Sequence, residues 1–247
     1  MKKDILLRVR GATKLFGAVQ ALVKADLDVH RGEVVALVGD NAAGKSTMAR
    51  AISGIYRLDA GTMEFNGASV DFHSASEALH AGVATVFQEL ALADNLDVAS
   101  NIFLGREVVR GGLMDERTMH NLAREYLDRL NSRITSTATR LSELSAGQRQ
   151  CVAIARTLVG NPQLIVLDEP TASLSIMQTA EVLSHIQSLR DTGMGVILIS
   201  HSLTDVRAVA DRIEVLRHGR NNGSFSAAHD RYEDVIAAIT GATRLAR

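Results

Sequence analysis

The amino-acid sequence predicts an α/β fold with a mostly parallel sheet, and three short apolar runs are the main reason. Residues 34–38, 164–167 and 196–199 are rich in Val, Ile and Leu and are bounded by Gly or by polar residues. This is typical of strands that are buried on both faces. Between the runs, apolar residues recur at helical spacing, as at Met48 and Ile52. Strands that alternate with helices indicate a parallel α/β core.

Two other parts of the chain predict different structures. Residues 7–10, 25–29 and 62–65 alternate apolar with polar side chains, as half-buried antiparallel strands do. Residues 96–160 show helical patterning and few strand signals. We therefore expect an N-terminal antiparallel β subdomain and an inserted helical subdomain.

The composition limits the class of function. The chain has 247 residues, 27 Lys+Arg and 28 Asp+Glu, for a formal net charge of −1, whereas nucleic-acid-binding proteins usually carry a basic excess. The single cysteine, Cys151, cannot form an intramolecular disulfide or a Cys-based zinc cluster. No apolar run approaches the roughly 20 residues that span a bilayer, and Met1-Lys2-Lys3-Asp4 is not followed by a secretory apolar core. We therefore expect a cytoplasmic protein without a membrane span.

A glycine-rich loop follows the first apolar run. Residues 39–46 read Gly-Asp-Asn-Ala-Ala-Gly-Lys-Ser, which fits G-x-x-x-x-G-K-[ST] between a predicted strand and a predicted helix. In such a loop, backbone N–H groups and the helix N-terminus surround phosphates, while the lysine reaches the β- and γ-phosphates and the serine binds Mg²⁺. The alternative is a glycine-rich turn with a solvated lysine. The candidate binding residues are Gly39, Asn41, Ala42, Ala43, Gly44, Lys45, Ser46 and Thr47.

Ala42 stands at a position of this loop where glycine would give more freedom. If Ala42 must adopt a positive φ, its Cβ costs about 1–2 kcal/mol. We therefore expect Ala42→Gly to tighten ATP binding.

Polar residues also follow other apolar runs. Asp168 and Glu169 end the second run. Asp168 can hold Mg²⁺ through its water shell, and Glu169 is placed to act as general base on an attacking water. The alternative is an exposed acidic turn. His201, after the third run, can hydrogen-bond a γ-phosphate or hold the water, and the Gln88 amide can sense the metal or the water. Each of these two is a weak signal alone.

Residues 144–150 read Leu-Ser-Ala-Gly-Gln-Arg-Gln, just before a helical stretch. With the glycine-rich loop, Gln88, Asp168-Glu169 and His201 in this order, the chain resembles the ATP-binding cassette (ABC) ATPases of ABC transporters over about residues 6–241. The resemblance implies a P-loop NTPase core. It also implies a single nucleotide-binding domain over residues 1–247, with the catalytic core at about 1–90 and 161–247 and a helical signature subdomain at about 91–160.

The same resemblance implies how the domain works. Two copies would pair head to tail with two ATP molecules between them, and Ser145, Gln148 and the backbone of Ala146 and Gly147 would contact the γ-phosphate bound by the opposite copy. The alternative for Ser145-Ala146-Gly147 is an ordinary N-cap before a helix, with no contact to a nucleotide. The implied catalytic residues are Lys45, Gln88, Glu169 and His201, and the implied metal ligands are Ser46, Gln88 and Asp168.

Phe16 is implied as the aromatic residue that stacks on adenine, with a core phenylalanine as the alternative. Two positions depart from the family pattern: Ala146 stands where Gly is commoner, and Ser175 stands where many members carry an Asp that links the two ATP sites. The second departure leaves the coupling between the two sites open.

Finer features resemble the ATPases of bacterial carbohydrate importers. They are Gly-Asp-Asn at 39–41, Phe-Gln-Glu-Leu at 87–90 and Asn-Ile-Phe-Leu-Gly-Arg-Glu at 101–107. One glycine-rich loop and one signature segment match the single-cassette importers of fructose or ribose type. The resemblance implies uptake of a monosaccharide through separate membrane permease subunits, served by a periplasmic binding protein. Residues 88–107 would form the docking surface, with a solvated loop and a helix as the equally plausible local alternative. The chain would sit peripherally on the cytoplasmic face of the inner membrane.

Two other functions remain open at this point. The first is a soluble ABC-type ATPase acting on nucleic acid or ribosomes. Family members that act in translation have two cassettes joined by a linker, whereas this sequence shows one glycine-rich loop and one signature segment. Members that act on chromosomes or in repair carry a very long insertion between the glycine-rich loop and the signature segment. Here Lys45 and Ser145 are only 100 positions apart (145 − 45). The second is a catalytically silent nucleotide-binding module, against which the intact Lys45, Asp168, Glu169 and His201 argue.

Overall fold

A computed structural model describes residues 4–242 of the chain. The segment Met1-Lys2-Lys3, which enters the expectation about a secretory signal, and residues 243–247 of the expected 1–247 domain lie outside the described residues. In chain order the strands are β1 (Ile5–Phe16), β2 (Val19–His30), β3 (Val34–Val38), β4 (Ala60–Phe65), β5 (Ala68–Val70), β6 (Val83–Val86), β7 (Val109–Arg110), β8 (Leu113–Met114), β9 (Leu164–Asp168), β10 (Gly195–Ile199), β11 (Arg212–Arg217) and β12 (Arg220–Ser226). The helices are α1 (Lys45–Ile52), α2 (Ala75–Ala81), α3 (Val98–Phe103), α4 (Glu116–Arg129), α5 (Ala146–Leu158), α6 (Ile176–Asp191), α7 (Leu203–Val209) and α8 (Tyr232–Thr240).

The three apolar runs form the centre of a six-stranded sheet with the order β12-β11-β3-β10-β9-β6. Strands β11, β3, β10, β9 and β6 pair in parallel, and only β12 is antiparallel to its neighbour. All five residues of β3, of β9 and of β10 are buried, as expected for strands covered on both faces. The prediction of a mostly parallel α/β core is therefore confirmed, with β9 one residue longer than predicted because Asp168 pairs with Ile199.

A second sheet of four antiparallel strands has the order β2-β1-β4-β5. The three alternating stretches of the sequence lie in β1, β2 and β4, so this N-terminal prediction is also confirmed. Strand β1 has several register shifts, the last between Lys14 and Leu15. Its C-terminal end therefore depends on side chains as well as on the regular ladder.

Successive residues of the central strands point to opposite faces of the sheet. In β9, Ile165 and Leu167 pack in the cluster that also holds the buried faces of α3, α4, α5 and α6. Leu164 and Val166 pack in the cluster that joins the sheet to α1, β1 and β2. The central sheet thus lies between helices α3, α4, α5 and α6 on one face and helix α1 with the antiparallel sheet on the other.

Between residues 91 and 160 the described structure contains α3, α4, α5 and a turn of 3-10 helix at Leu141–Glu143. It also contains the hairpin β7-β8, which the sequence did not predict. Each strand of this hairpin has two exposed residues, too few for an alternating pattern to be recognised. Among residues 4–242 there is no helix with the length and apolar character needed to cross a membrane.

Candidate active site

Four neighbouring parallel strands end at one edge of the central sheet, and the predicted polar residues follow their ends. The glycine-rich loop follows β3, and Asp168 is the last residue of β9. His201 comes two residues after β10, and Gln88 comes two residues after β6. The carboxyl edge of a parallel sheet is where α/β proteins bind ligands, so parallel pairing brings together residues that are far apart in sequence.

A cavity of about 380 Å³ lies at this edge. It is lined by Phe16, residues 41–47, Gln88, Asp168, Glu169 and His201. It is also lined by Val19, Gln20 and Ala21 of β2, which the sequence reasoning missed. No motif marks these three residues, and only their closeness to Phe16 across the β1-β2 turn could have pointed to them.

Positive φ angles shape the glycine-rich loop. Gly39 has φ 151°, Ala42 has φ 61° and Gly44 has φ 104°. Gly44 is the N-cap of α1, so the loop turns directly into the N-terminus of that helix. The condition set for Ala42 is therefore met: its backbone is left-handed although the residue carries a Cβ.

Lys45 lies inside the loop and is buried. Its Nζ donates to the carbonyl oxygens of Gly39, at 2.8 Å, and of Asp40, at 3.0 Å. Burial lowers the pKa of the Lys45 ammonium, while the neighbouring carboxylates of Glu169, Asp168 and Asp40 act in the opposite direction. Since an ammonium has three N–H donors, one remains for an anionic group in the cavity.

Asp168 is a buried carboxylate at the wall of the cavity. Burial raises its pKa, and the positive charge of Arg50, a hydrogen bond from Ser46 and the charge of Lys45 oppose this rise. In residues 4–242 no three His, Cys, Asp or Glu side chains form a cluster able to hold a metal ion. A metal held here would therefore take the Ser46 hydroxyl and the Asp168 carboxylate together with oxygens of water and ligand. This small, hard-oxygen set fits Mg²⁺.

Glu169 and His201 face each other across the ends of β9 and β10. His201 Nε2 lies 3.1 Å from Glu169 Oε1, but the direction is wrong for a hydrogen bond, and Oε1 is buried without a hydrogen-bond partner among the described residues. The His201 backbone N–H donates to Glu169 Oε2 at 3.4 Å. Burial raises the pKa of the Glu169 carboxyl, and the nearby His201 opposes the rise.

The backbone of Glu169 is left-handed, with φ 53°. For a residue with a Cβ this is a strained conformation, which proteins tend to keep at functional sites. The Glu169 N–H donates to the Ile199 carbonyl oxygen at 3.0 Å, so the pairing of β9 with β10 holds the residue in place. Because Glu169 lines the cavity, its carboxylate is suited to accept a proton there.

Phe16 is the last residue of β1, and its side chain is 42% exposed. It is therefore not a core residue. It lines the cavity and pairs with Val19, another lining residue, across the β1-β2 turn. An exposed aromatic ring of this kind can stack on a flat ligand.

The signature segment lies outside this cavity. Ser145 is the N-cap of α5, where its hydroxyl accepts from the Gln148 backbone N–H at 3.3 Å and the Gln148 side chain accepts from the Ser145 N–H at 3.0 Å. Ser175 caps α6 in the same way with Gln178. A Cβ on Gly147 would lie 3.0 Å from the Gln178 Cβ, so the first turns of α5 and α6 touch. Thus Ser145, Ala146, Gly147 and Gln148 are not brought to the phosphate loop of the same chain.

Comparison with known proteins identifies the family and the fold of the chain. A family model described as "ABC transporter" matches residues 22–172. The xylose/arabinose import ATP-binding protein XylG of Sulfolobus acidocaldarius is 41% identical over 215 residues, which are 87% of this chain and 86% of that protein. The fructose import ATP-binding protein FrcA of Rhizobium meliloti is 39% identical over 250 residues, 98% of this chain and 96% of that protein.

A third relative is longer. The ribose import ATP-binding protein RbsA of Yersinia pestis is 39% identical over 241 residues, but this chain spans only 47% of its length. Among solved structures, the ADP conformation of the ATP-binding cassette MJ1267 has a TM-score of 0.81 at 24% identity, covering 96% of this chain and 95% of that one. The dimeric bacterial ABC transporter cassette MJ0796 has a TM-score of 0.76 at 24% identity, covering 91% of this chain and 100% of that one. These two likenesses concern the fold.

Proposed function

Because this chain belongs to the ABC transporter family, we propose that it is the ATP-binding and ATP-hydrolysing subunit of an importer that takes up a carbohydrate through separate membrane subunits. The observation that carries the proposal is the meeting of the phosphate loop, Asp168, Glu169 and His201 in one cavity. The carbohydrate, most simply a monosaccharide, follows from the import proteins that the chain is similar to. The nucleic-acid alternative is not favoured, since those relatives are import proteins and the net charge is −1.

The chemistry follows from the placement of the side chains. The N–H groups of the phosphate loop and the α1 N-terminus bind the phosphates, and the free donor of Lys45 reaches the β- and γ-phosphates. Ser46 and Asp168 would hold Mg²⁺, with Gln88 as a further oxygen donor, and the ion would supply positive charge to the phosphate oxygens. The Glu169 carboxylate takes the proton of the attacking water, and His201, whose Nε2 lies 3.1 Å from Glu169 Oε1, holds the water or the γ-phosphate in line.

We place the second half of each ATP site on another copy of the chain. Ser145, Ala146, Gly147 and Gln148 open α5 with small residues and a helix N-terminus, which suits an anion, yet they lie outside the cavity of their own chain. In a head-to-tail dimer they would cover the γ-phosphate held by the partner.

A mixing experiment tests this arrangement. Lys45→Ala disables the phosphate loop, and Ser145→Arg disables the signature. In a head-to-tail dimer formed by one copy of each variant, both defects fall in one composite site and the other site is intact. We therefore expect ATPase activity to recover when the two inactive variants are mixed with their membrane partners. No recovery above the sum of the separate variants would contradict the shared site.

We propose that residues 88–107 form the surface on which the membrane subunits dock. This segment begins at Gln88, which lines the cavity, and includes α3. Asn101 is fully buried, and its side chain accepts from the Ala93 N–H at 2.8 Å and donates to the carbonyl oxygens of Ala93 and Asp97. Arg156 of α5 donates to the carbonyl oxygens of Asn101, at 2.9 Å, and Ala91, at 3.0 Å. The segment is thus fixed to the helix that begins at the signature.

These contacts support a route between membrane partner and ATP. A movement of residues 88–107 would displace Gln88 at the cavity and, through Arg156, helix α5. We accordingly propose one cassette, with its catalytic core at about residues 1–90 and 161–247 and the helical subdomain at about 91–160. It lies peripherally on the cytoplasmic face of the membrane.

Cross-linking can test the docking surface. The single cysteine, Cys151, is buried, so an introduced surface cysteine is readily labelled. Leu104 is 44% exposed. The Leu104→Cys variant is labelled with a benzophenone maleimide, combined with membrane vesicles that contain the permease, and irradiated. We expect a cross-link to the membrane subunit. Tyr232→Cys on α8 is the matched control, and equal cross-linking from both positions would argue against the surface.

The importer itself is tested by co-purification with the natural membrane subunits. The ATPase activity of the complex is then measured across candidate sugars, each with the periplasmic binding protein. We expect stimulation by one sugar class. If no membrane subunit co-purifies, the importer proposal is wrong.

A further inference from the structure

Phe16 is the last residue of β1, at an end of the strand where β2 still pairs with it (Phe16 with Val19) but β4 no longer does. The last β1-β4 pair is Thr13 with Ala60, and the register of β1 shifts again between Lys14 and Leu15. The ring is the candidate platform for a nucleotide base, and on the side of β4 its position in the cavity depends on side-chain contacts rather than on strand pairing.

Asp59 holds the backbone just before Phe16. Its carboxylate accepts from the Leu15 N–H at 2.6 Å and from Lys14 Nζ at 3.1 Å. The Asp59 N–H donates to the Thr13 carbonyl oxygen at 2.9 Å. The Asp59 carboxylate therefore adds one more hydrogen bond to β1, just beyond the N-terminal end of β4. It also fixes the Lys14 ammonium over the Phe16 ring, 5.6 Å from the centroid.

Tyr56 holds the ring itself. The rings of Tyr56 and Phe16 meet edge to face, with centroids 5.1 Å apart and planes at 70°, a favourable geometry for two aromatic rings. Tyr56 does not line the cavity of the phosphate loop. It lines an adjacent cavity of about 240 Å³ together with Asp59, so it touches Phe16 from outside the nucleotide site.

Tyr56 is in turn fixed to the helix of the phosphate loop. Its backbone N–H donates to the Arg50 carbonyl oxygen at 3.2 Å, and Arg50 Nη1 donates to the Tyr56 hydroxyl at 3.2 Å. Arg50 lies on α1, which begins at Lys45. One continuous set of contacts therefore sets the distance between the phosphate-binding residues and the Phe16 ring.

We propose that Tyr56 and Asp59 are positioning residues for the Phe16 ring, and that they determine how tightly the chain binds the base of ATP. The inference depends on the proposed stacking role of Phe16. Neither residue touches the phosphates or the water, so their loss weakens nucleotide binding and raises the KM for ATP without changing kcat. A residue needed only for folding would not separate these two constants.

The test measures binding of a fluorescent mant-ATP to the full chain and ATPase kinetics of the complex with its membrane subunits. For Tyr56→Leu we expect a Kd higher by about threefold to tenfold, the value of one aromatic contact, and an unchanged kcat. Tyr56→Phe keeps the ring and the backbone hydrogen bond to Arg50 and loses only the hydroxyl contact, so we expect its Kd to lie closer to the wild-type value than that of Tyr56→Leu. The inhibition constant of tripolyphosphate, which has no base, is calculated from its displacement of mant-ATP with the Kd of each variant; it stays unchanged in the Leu variant and shows that the phosphate loop is intact.

A double-mutant cycle shows whether Tyr56 acts through Phe16. In the Phe16→Ala background we expect Tyr56→Leu to change the Kd by less than about twofold. If Tyr56→Leu has its full effect in that background, or has no effect where Phe16→Ala weakens binding, the positioning role is wrong while the stacking role stands. If Phe16→Ala itself leaves the Kd unchanged, the stacking role is wrong and this inference fails with it.

Asp59→Ala provides a second variant, for which we expect the same rise in KM with unchanged kcat. Asp71→Ala is its matched control, because Asp71 pairs with Arg57 at the surface nearby and has no contact with Phe16. Equal effects of Asp59→Ala and Asp71→Ala on the KM would contradict the role of Asp59.

Discussion

Gly44 is a position in the phosphate loop where adding a single methyl group should do clear harm. It is the N-cap of α1 with φ 104°. A Cβ there would lie 2.6 Å from the Ala21 carbonyl oxygen and 2.9 Å from Leu22 Cδ2. Neither atom can move easily, since the first belongs to the backbone of β2 and the second to a fully buried side chain.

The cost of Gly44→Ala has three parts. The strained φ costs about 1–3 kcal/mol, and the overlap with well-packed neighbours costs about 1–3 kcal/mol. The alanine also restricts the unfolded chain, which returns about 0.4–1 kcal/mol. We therefore expect the free energy of unfolding to fall by about 3 kcal/mol, with weaker ATP binding because the loop N–H groups are displaced.

The matched control is Gly67→Ala. Gly67 has φ 76°, but its Cβ would meet no atom within 4 Å, so only the φ cost remains and we expect a loss of about 1 kcal/mol. Urea unfolding followed by circular dichroism measures both variants. If the two losses agree within about 0.5 kcal/mol, the contact with β2 does not matter and the reasoning about Gly44 is refuted.

Four further predictions concern the site directly. Glu169→Gln should keep ATP binding and lower kcat by about 10²–10⁴-fold, and near-normal phosphate release by the variant would disprove the role of Glu169. Since burial raises the pKa of Glu169 above its ordinary value of 4.5 and the base acts only when deprotonated, kcat/KM should fall with decreasing pH through a midpoint above 4.5. A profile that stays flat to that pH would argue against the base. Ala42→Gly should tighten ATP binding, by at most the 1–2 kcal/mol or so of strain at φ 61°, and a titration showing equal or weaker affinity would contradict this. Phe16→Trp introduces the one tryptophan of the chain, so ATP should change its fluorescence, and an unchanged spectrum at saturating ATP would exclude Phe16 from the base site.

Some of the structure could be predicted because its signal is local. A buried parallel strand needs only a short run of apolar residues, and residues 34–38 form β3 as predicted. The alternation in β1, β2 and β4 likewise depends on one buried face. The hairpin β7-β8 could not be predicted in this way, because its exposed two-residue strands have no buried face to impose a pattern.

The candidate site was also predictable where backbone conformation requires particular residue types. Glycine at positive φ and a lysine folded back into the loop follow from the local sequence. The contact between Tyr56 and Phe16 has no such signal, since the two residues are 40 positions apart (56 − 16) and meet only because β4 returns beside β1. The same holds for the unpaired Oε1 of Glu169, which depends on the exact direction of His201.

The sequence by itself determined which chemical groups this protein carries and in what order, because loop geometry, strand burial and helix capping depend on neighbouring residues. Only the tertiary structure decided which of these groups meet. Parallel pairing in the order β3-β10-β9-β6 brings the phosphate loop, His201, Asp168, Glu169 and Gln88 to one edge. Packing of α5 against α6 instead keeps Ser145 away from that edge. The physical reason is that hydrogen-bond register and side-chain packing act between residues distant in sequence, where no local pattern can specify them.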